Sequence, residues 1–167
     1  IGIRTIFNIL GPLTNPAGAS RQVLGVYDGN LTEVIAGVLL NLGTEHAYVV
    51  WGRDGLDEIT LTCNTKVTEL RNGDIKTYDI KPEEFSLERC APDSLKGGDA
   101  DTNANIIRDI FRGKPGPQRD VVLLNAAAAI AAEGMAENIK DAVKIASESI
   151  DMGKALKKLN DLIEMTN

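Results

Sequence analysis

The chain has 167 residues, 18 Lys and Arg against 24 Asp and Glu, and therefore a net charge of −6; 43% of it is apolar and 25% charged. That apolar share is too high for a disordered chain and large enough for a real core, and one domain is the default at this length. A pI near 4.8 argues against a general nucleic-acid or membrane-surface binder, and no run of about 18 apolar residues suggests a transmembrane helix.

The chain opens Ile1-Gly2-Ile3-Arg4, without an initiator methionine or a signal peptide, and reads as a piece of something longer. A short apolar segment from Arg4 to Leu10 runs into Gly11-Pro12-Leu13-Thr14-Asn15-Pro16, where two prolines and a glycine predict a shaped loop. Val23 to Tyr27 reads as a buried strand. Asn30, with Glu33 three residues later, suggests a capping box. Leu31, Val34, Ile35, Val38, Leu39 and Leu42 then recur at helical spacing, and Gly43 ends the helix. Ala47 to Trp51 reads as a second buried strand, which completes a βαβ unit with parallel strands. Ligands in such sheets sit beyond the carboxyl ends of the strands, so Asp28-Gly29 and Gly52 to Glu58 become the segments of interest.

Ile59, Leu61 and Cys63 alternate with Thr60 and Thr62, as in a half-exposed strand. Asn72-Gly73 between two β-prone runs predicts a hairpin, read as an antiparallel flap on the parallel sheet. Residues 81–101 are loop-like, a helix is expected near 102–112, and Lys-Pro-Gly-Pro makes a linker. The remainder reads as helical: 120–133 with its small residues Ala126 to Ala129, then apolar stripes through Ile139, Ala142, Val143, Ala146 and Ile150, and through Ala155, Leu156, Leu159, Leu162 and Ile163. The Lys154, Lys157, Lys158 cluster reads as a solvated helix face.

Chemistry is concentrated in Gly52-Arg53-Asp54-Gly55-Leu56-Asp57-Glu58, three carboxylates in a glycine-bearing loop at a strand's carboxyl end. Adjacent carboxylates suit Mg²⁺, which takes one or two of them and completes its shell with water and substrate phosphates. The plainer alternative is a solvated acidic turn, and spacing alone leaves both open. In Leu10 to Pro16, Gly11 allows a ligand close to the backbone and Pro12 offers a rigid apolar wall; a purely structural connection fits the residues equally well. Gly97-Gly98-Asp99 lacks the longer glycine pattern of a phosphate cradle and reads as the approach to the next helix. His46 reads as structural, with no nucleophile arranged around it, and Trp51 as a core residue. Cys63 and Cys90 are too few for a disulfide scaffold and read as free thiols in a reducing cytosol.

The stretch Arg4-Thr5-Ile6-Phe7-Asn8-Ile9-Leu10-Gly11-Pro12-Leu13-Thr14-Asn15-Pro16-Ala17 resembles a signature of the anthranilate phosphoribosyltransferases. Arg21-Gln22, Gly25-Val26-Tyr27, Gly55-Leu56-Asp57-Glu58, Asn103-Ala104 and Asn125-Ala126-Ala127 follow in that family's order, so the resemblance covers the whole chain. It implies an α/β fold of the nucleoside phosphorylase/phosphoribosyltransferase type: a mainly parallel sheet flanked by helices, with an antiparallel hairpin. It implies that residues 1–167 are the C-terminal portion of the larger α/β domain. The family's N-terminal helical domain, its Gly-Thr-Gly-Gly-Asp loop and its Lys-His-Gly-Asn segment, which bind phosphoribosyl pyrophosphate, have no counterpart here. An anthranilate-contacting arginine of the family lies upstream of the signature, and Arg4 is not its equivalent.

By the same resemblance, Asp57 and Glu58 match the family's Mg²⁺ ligands, and Gly11 and Pro12 match positions beside the anthranilate site. The implied reaction joins anthranilate to phosphoribosyl pyrophosphate in tryptophan biosynthesis, in a cytoplasmic homodimer with no nucleic-acid or membrane partner. The isolated 167 residues are expected to be inactive, with no catalytic residue of their own. A pyrimidine nucleoside phosphorylase shares the fold and is one alternative; a non-catalytic binding module is another.

Overall fold

The computed structural model describes residues 11–14 and 16–166. The signature residues Arg4 to Leu10, and Asn15, lie outside the described residues. The chain divides into two compact units, Ile1–Ile80 and Lys81–Asn167.

In the first unit, β1 (Arg21–Gly25), α1 (Leu31–Asn41) and β2 (His46–Gly52) form the expected βαβ unit, with β1 and β2 parallel and Arg21 opposite His46. β3 (Thr65–Arg71) and β4 (Asp74–Ile80) are the expected hairpin. The turn between them places Asn72 at φ 53° and Gly73 at φ 88°. Two successive left-handed residues are what a two-residue type I′ turn requires, and Asn-Gly meets that requirement with little strain. The hairpin is not a separate flap. β3 pairs antiparallel with β2 along its whole length, which makes one mixed sheet in the order β1-β2-β3-β4. β2 is consequently central, and six of its seven residues are buried.

One face of the sheet receives α1. Leu24, Ala47, Val49 and Leu70 from the strands pack with Ile35, Ala36 and Leu39 from the helix, and Leu31 and Trp51 close the edges of this core. The apolar spacing of α1 therefore reports its buried face, as expected. Its N-terminus differs from the capping box read in the sequence. Asn30 is already helical in backbone and makes no side-chain cap. Asp28 takes that role: its carboxylate accepts the Asn30 N–H at 2.9 Å and its carbonyl accepts the Leu31 N–H at 2.9 Å. Glu33 turns instead to Lys66, 3.3 Å away. At the other end the N–H groups of Gly43 and Thr44 bond back to Leu40 and Leu39, which closes the helix where Gly43 was expected to.

Two local expectations are corrected. Residues 11–13 are helical rather than loop, because proline's fixed φ is itself a helical value and removes only a donor. Residues 59–63 are not a strand. Their backbone groups bond to side chains instead of a ladder: Thr60 N–H donates to Thr65 Oγ1 at 3.1 Å and Thr62 N–H to Thr60 Oγ1 at 3.0 Å.

The second unit is helical. Two 3-10 turns, Pro82–Phe85 and Pro92–Leu95, interrupt the loop read over 81–101, and four helices follow: α2 (Ala100–Phe111), α3 (Pro117–Glu133), α4 (Ile139–Asp151) and α5 (Lys154–Thr166). Ala127, Ala128 and Ala131 of α3 and Ala142 of α4 are buried, the small side chains that let two helices approach closely. Ile110, Leu123, Ala146 and Ile150 form a core joining α2, α3 and α4. Lys157 and Lys158 of α5 pair with Asp161 on an exposed face. No helix of the described residues is long and apolar enough to cross a membrane.

Candidate functional site

The acidic loop leaves the carboxyl end of β2 and closes on itself at once. Gly52 N–H donates to the Leu56 carbonyl at 2.8 Å, and Gly55 N–H to the Gly52 carbonyl at 2.8 Å. Arg53 anchors the outer side. Its N–H reaches the Asn64 carbonyl at 3.0 Å, and its guanidinium grips both oxygens of Asp79 on β4 at 2.8–3.3 Å. On the opposite side, the turn lies against the end of β1 so closely that a Cβ on Gly25 would overlap the Asp57 carbonyl oxygen.

Asp54 ties the inner side. Its Oδ1 accepts the Leu56 N–H at 3.2 Å, and its Oδ2 accepts the Thr60 hydroxyl at 2.7 Å and the Thr62 hydroxyl. Burial alone would push this carboxyl up, but the two hydroxyls and the Leu56 N–H together hold it below its ordinary value. Thr60 is itself buried, so the tie reaches into the packed interior.

The Asp54 carboxylate is held by hydrogen bonds; Asp57 and Glu58 have no ion-pair partner among the described residues, and both are exposed. Although Glu58 is exposed as a residue, partial shielding of its carboxyl from water raises it, and the negative charges of Asp57 and Asp54 raise it further. A pair of hard oxygen donors under mutual repulsion fits a divalent cation such as Mg²⁺. No group of three or more His, Cys, Asp or Glu side chains among the described residues closes around a metal. Mg²⁺ commonly binds through one or two carboxylates, with water and phosphate oxygens completing the shell.

The ends of β1 and β2 are also braced. Asp28 and Gly29 follow β1, and the Lys66 ammonium donates to the Gly29 carbonyl at 2.9 Å. The Trp51 ring lies against Gly29, where any side chain would collide with it. Trp51 is thus a packing residue, as expected, with its ring N–H buried and unpartnered.

Pro12 is elsewhere. It borders a groove of about 330 Å³ with Leu13, Ser20, Leu42, Gly43 and Thr44, at the amino ends of β1 and β2. Gly11 is exposed, with open space where a Cβ would be. Within this chain the structure does not bring Gly11 and Pro12 together with Asp57 and Glu58, which lie at the strands' carboxyl ends. His46 is structural: its Nε2 meets Glu69 Oε1 at 3.1 Å, and Glu69 also accepts the Tyr78 hydroxyl at 3.0 Å. Gly97-Gly98-Asp99 is occupied internally, since Asn103 brackets Gly98 at both N–H and carbonyl and Asp99 caps α2 through the Thr102 N–H. Cys63 and Cys90 are free thiols.

Four residues that build this site escaped the sequence reading: Gly25, Thr60, Thr62 and Lys66. Gly25 carried a signal, since a glycine inside an apolar strand run often marks close backbone approach. The threonines were hidden inside an apparent alternation.

Residues 1–156 match the family model described as "Glycosyl transferase family, a/b domain". The whole chain is 54% identical to the anthranilate phosphoribosyltransferase of Acetivibrio thermocellus and covers 48% of that protein. Among solved structures, the anthranilate phosphoribosyltransferase of Thermus thermophilus superposes with a TM-score of 0.88 at 39% identity, over 96% of this chain and 47% of that one. The Saccharomyces cerevisiae enzyme in complex with PRPP and Mg gives a TM-score of 0.85 at 32% identity, over 98% of this chain and 47% of that one. The chain thus spans about half the length of the proteins it matches. It belongs to the glycosyl transferase family, as part of its a/b domain.

Proposed function

We propose that the protein carrying this chain transfers the phosphoribosyl group of phosphoribosyl pyrophosphate to the amine of anthranilate, releasing pyrophosphate, as a cytoplasmic enzyme of tryptophan biosynthesis. The observation that carries this reading is the Asp57–Glu58 pair, free of ion-pair partners among the described residues and presented by a loop tied on three sides. Its support beyond this chain is the likeness to anthranilate phosphoribosyltransferases, one of them solved with PRPP and Mg.

Asp57 and Glu58 are the proposed Mg²⁺ ligands. When bound, Mg²⁺ supplies positive charge to the departing pyrophosphate. The two carboxylates hold that charge at a fixed place, and the bracing of their loop removes reorganisation at the moment of reaction. Gly11 and Pro12 are proposed as the backbone and wall beside the anthranilate ring, on the strength of their motif. An aromatic amine is already a neutral nucleophile, so no general base is required from these residues. A net charge of −6 makes this chain a poor attractor of two anionic substrates, which supports the reading that much of the phosphate binding rests on residues outside it.

The test is a transfer assay on the intact protein, following the loss of anthranilate fluorescence with phosphoribosyl pyrophosphate and Mg²⁺. Activity is expected, with a large loss in Asp57→Asn. Turnover of thymidine and phosphate in place of the anthranilate reaction would instead favour the nucleoside phosphorylase reading. The 167 residues alone are expected to give no product.

A further inference from the structure

We propose that Asp54 is a positioning residue rather than a third metal ligand: its clasped carboxylate fixes the turn that presents Asp57 and Glu58 and so sets their affinity for a divalent cation. The inference rests on the assignment of those two residues as Mg²⁺ ligands.

The donors and acceptors leave Asp54 little else to do. A threonine hydroxyl has one proton to give; the Thr60 and Thr62 hydroxyl oxygens stand 3.2 Å from each other, and both lie within hydrogen-bond reach of Asp54 Oδ2, the charged acceptor that draws both protons. Two donated protons fill that oxygen's two acceptor sites. Oδ1 takes the Leu56 N–H and is folded back under Gly52, where a Cβ would stand 2.5 Å from it. Three of the carboxylate's four acceptor sites are thus taken by bonds that hold the loop, and the one left is on Oδ1, beside Gly52.

The consequence passes along the backbone. Leu56 is fixed on both sides of its Cα, with its N–H on Asp54 and its carbonyl on the Gly52 N–H. Ile59 and Thr60 are fixed by burial. Asp57 and Glu58 are the only residues between these two fixed points, and the Asp57 carbonyl rests on Gly25. Asp54 grips both flanks at once, through Leu56 on one side and Thr60 on the other. Releasing it frees the spacing of the two flanks and with it the angle between the two carboxylates.

The arrangement demands an acceptor-only group. The amide of Asp54→Asn would set an NH₂ or a single carbonyl oxygen against the hydroxyls and N–H, and at least one of the three bonds would be lost. Outer residues that orient metal ligands typically cost about 10–100-fold in affinity when removed.

Mn²⁺ replaces Mg²⁺ as the probe, titrated into the intact protein and followed by electron paramagnetic resonance, with solvent-proton relaxation counting the waters on the bound ion. Asp57→Asn should abolish or severely weaken binding. Asp54→Asn and Thr60→Val should each weaken it about tenfold while leaving the number of coordinated waters unchanged. Thr60→Ser, which keeps the hydroxyl, should bind as the wild type does. If Asp54→Asn does not fold, Thr62→Ala removes one hydroxyl from a half-buried position and should weaken binding several-fold. An additional water on Mn²⁺ in Asp54→Asn would make Asp54 a ligand and overturn the proposal. So would wild-type affinity in both Asp54→Asn and Thr60→Val while Asp57→Asn is impaired. Wild-type affinity in Asp57→Asn would bring down the metal assignment itself, and the positioning role with it.

Discussion

Gly25 and Asp57 meet backbone to backbone, so that the end of β1 serves as the floor on which the acidic turn rests. Nothing larger than hydrogen fits at residue 25. Gly25→Ala is therefore expected to push the turn outward or distort β1, at a cost of about 1–3 kcal/mol, the usual range for overpacking. Urea unfolding reads the stability loss, and Mn²⁺ titration should weaken in parallel, because the displaced segment is the one that bears Asp57. A Gly25→Ala protein with both properties unchanged would mean that the contact is slack.

This contact also shows what was legible in the sequence. The βαβ unit was readable because α1 and the two strands each obey one hydrophobic period, and the hairpin because Asn72-Gly73 meets a backbone requirement few other pairs meet. Asp57 and Glu58 were readable as a pair with a place at a strand's end. What positions them was not, because it depends on contacts distant in sequence: Gly25 against Asp57, Arg53 against Asp79, Lys66 against Gly29. Residues 59–63 misled for a related reason. Their alternation satisfied a strand's period, but the hydroxyls of Thr60 and Thr62 were committed to Asp54, and the backbone followed them. The capping box failed in the same way, since Asp28 reached the helix end before Asn30 could.

The Asp54 clasp gives stability a pH signature. Burial opposes the charged form, yet the Thr60 and Thr62 hydroxyls and the Leu56 N–H outweigh it and hold the carboxyl below its ordinary value. A carboxyl depressed in the folded state contributes stability above the unfolded value, about 3.9 for Asp, and loses it as pH falls through the depressed value. The thermal midpoint of the wild type should exceed that of Asp54→Asn by a constant margin from about pH 5 to pH 7. The margin should shrink steadily below about pH 4. A margin that grows on acidification would mean that the neutral acid, not the carboxylate, makes these bonds.

Arg53 and Asp79 form a two-pronged pair between the loop and β4, but the side chains remain 49% and 37% exposed. Water competes for both groups, so Arg53→Ala is expected to cost less than about 1 kcal/mol of stability despite the good geometry. Its effect should be larger on the loop than on the fold: amide exchange of residues 53–56 should quicken while that of β2 does not. A loss well above about 1 kcal/mol in urea unfolding would show that the pair is better shielded than its exposure implies.

Lys66 makes two contacts from one ammonium, and they should not be equal. Its bond to the Gly29 carbonyl is 2.9 Å long, and the lysine side chain is only 20% exposed. Its ion pair with Glu33 spans 3.3 Å to a carboxylate that is 60% exposed. A charged donor on a carbonyl in a part-buried place contributes about 1.5–3 kcal/mol, whereas an exposed ion pair contributes about 0.2–1 kcal/mol. Lys66→Met keeps most of the stem and removes both contacts, while Glu33→Gln removes only the second. The first should lower stability by at least twice as much as the second, and added salt should erase the Glu33→Gln effect while leaving most of the Lys66→Met effect in place. Equal losses, both abolished by salt, would mean that the Gly29 carbonyl is not held by Lys66 and that the end of β1 is braced by Trp51 packing alone.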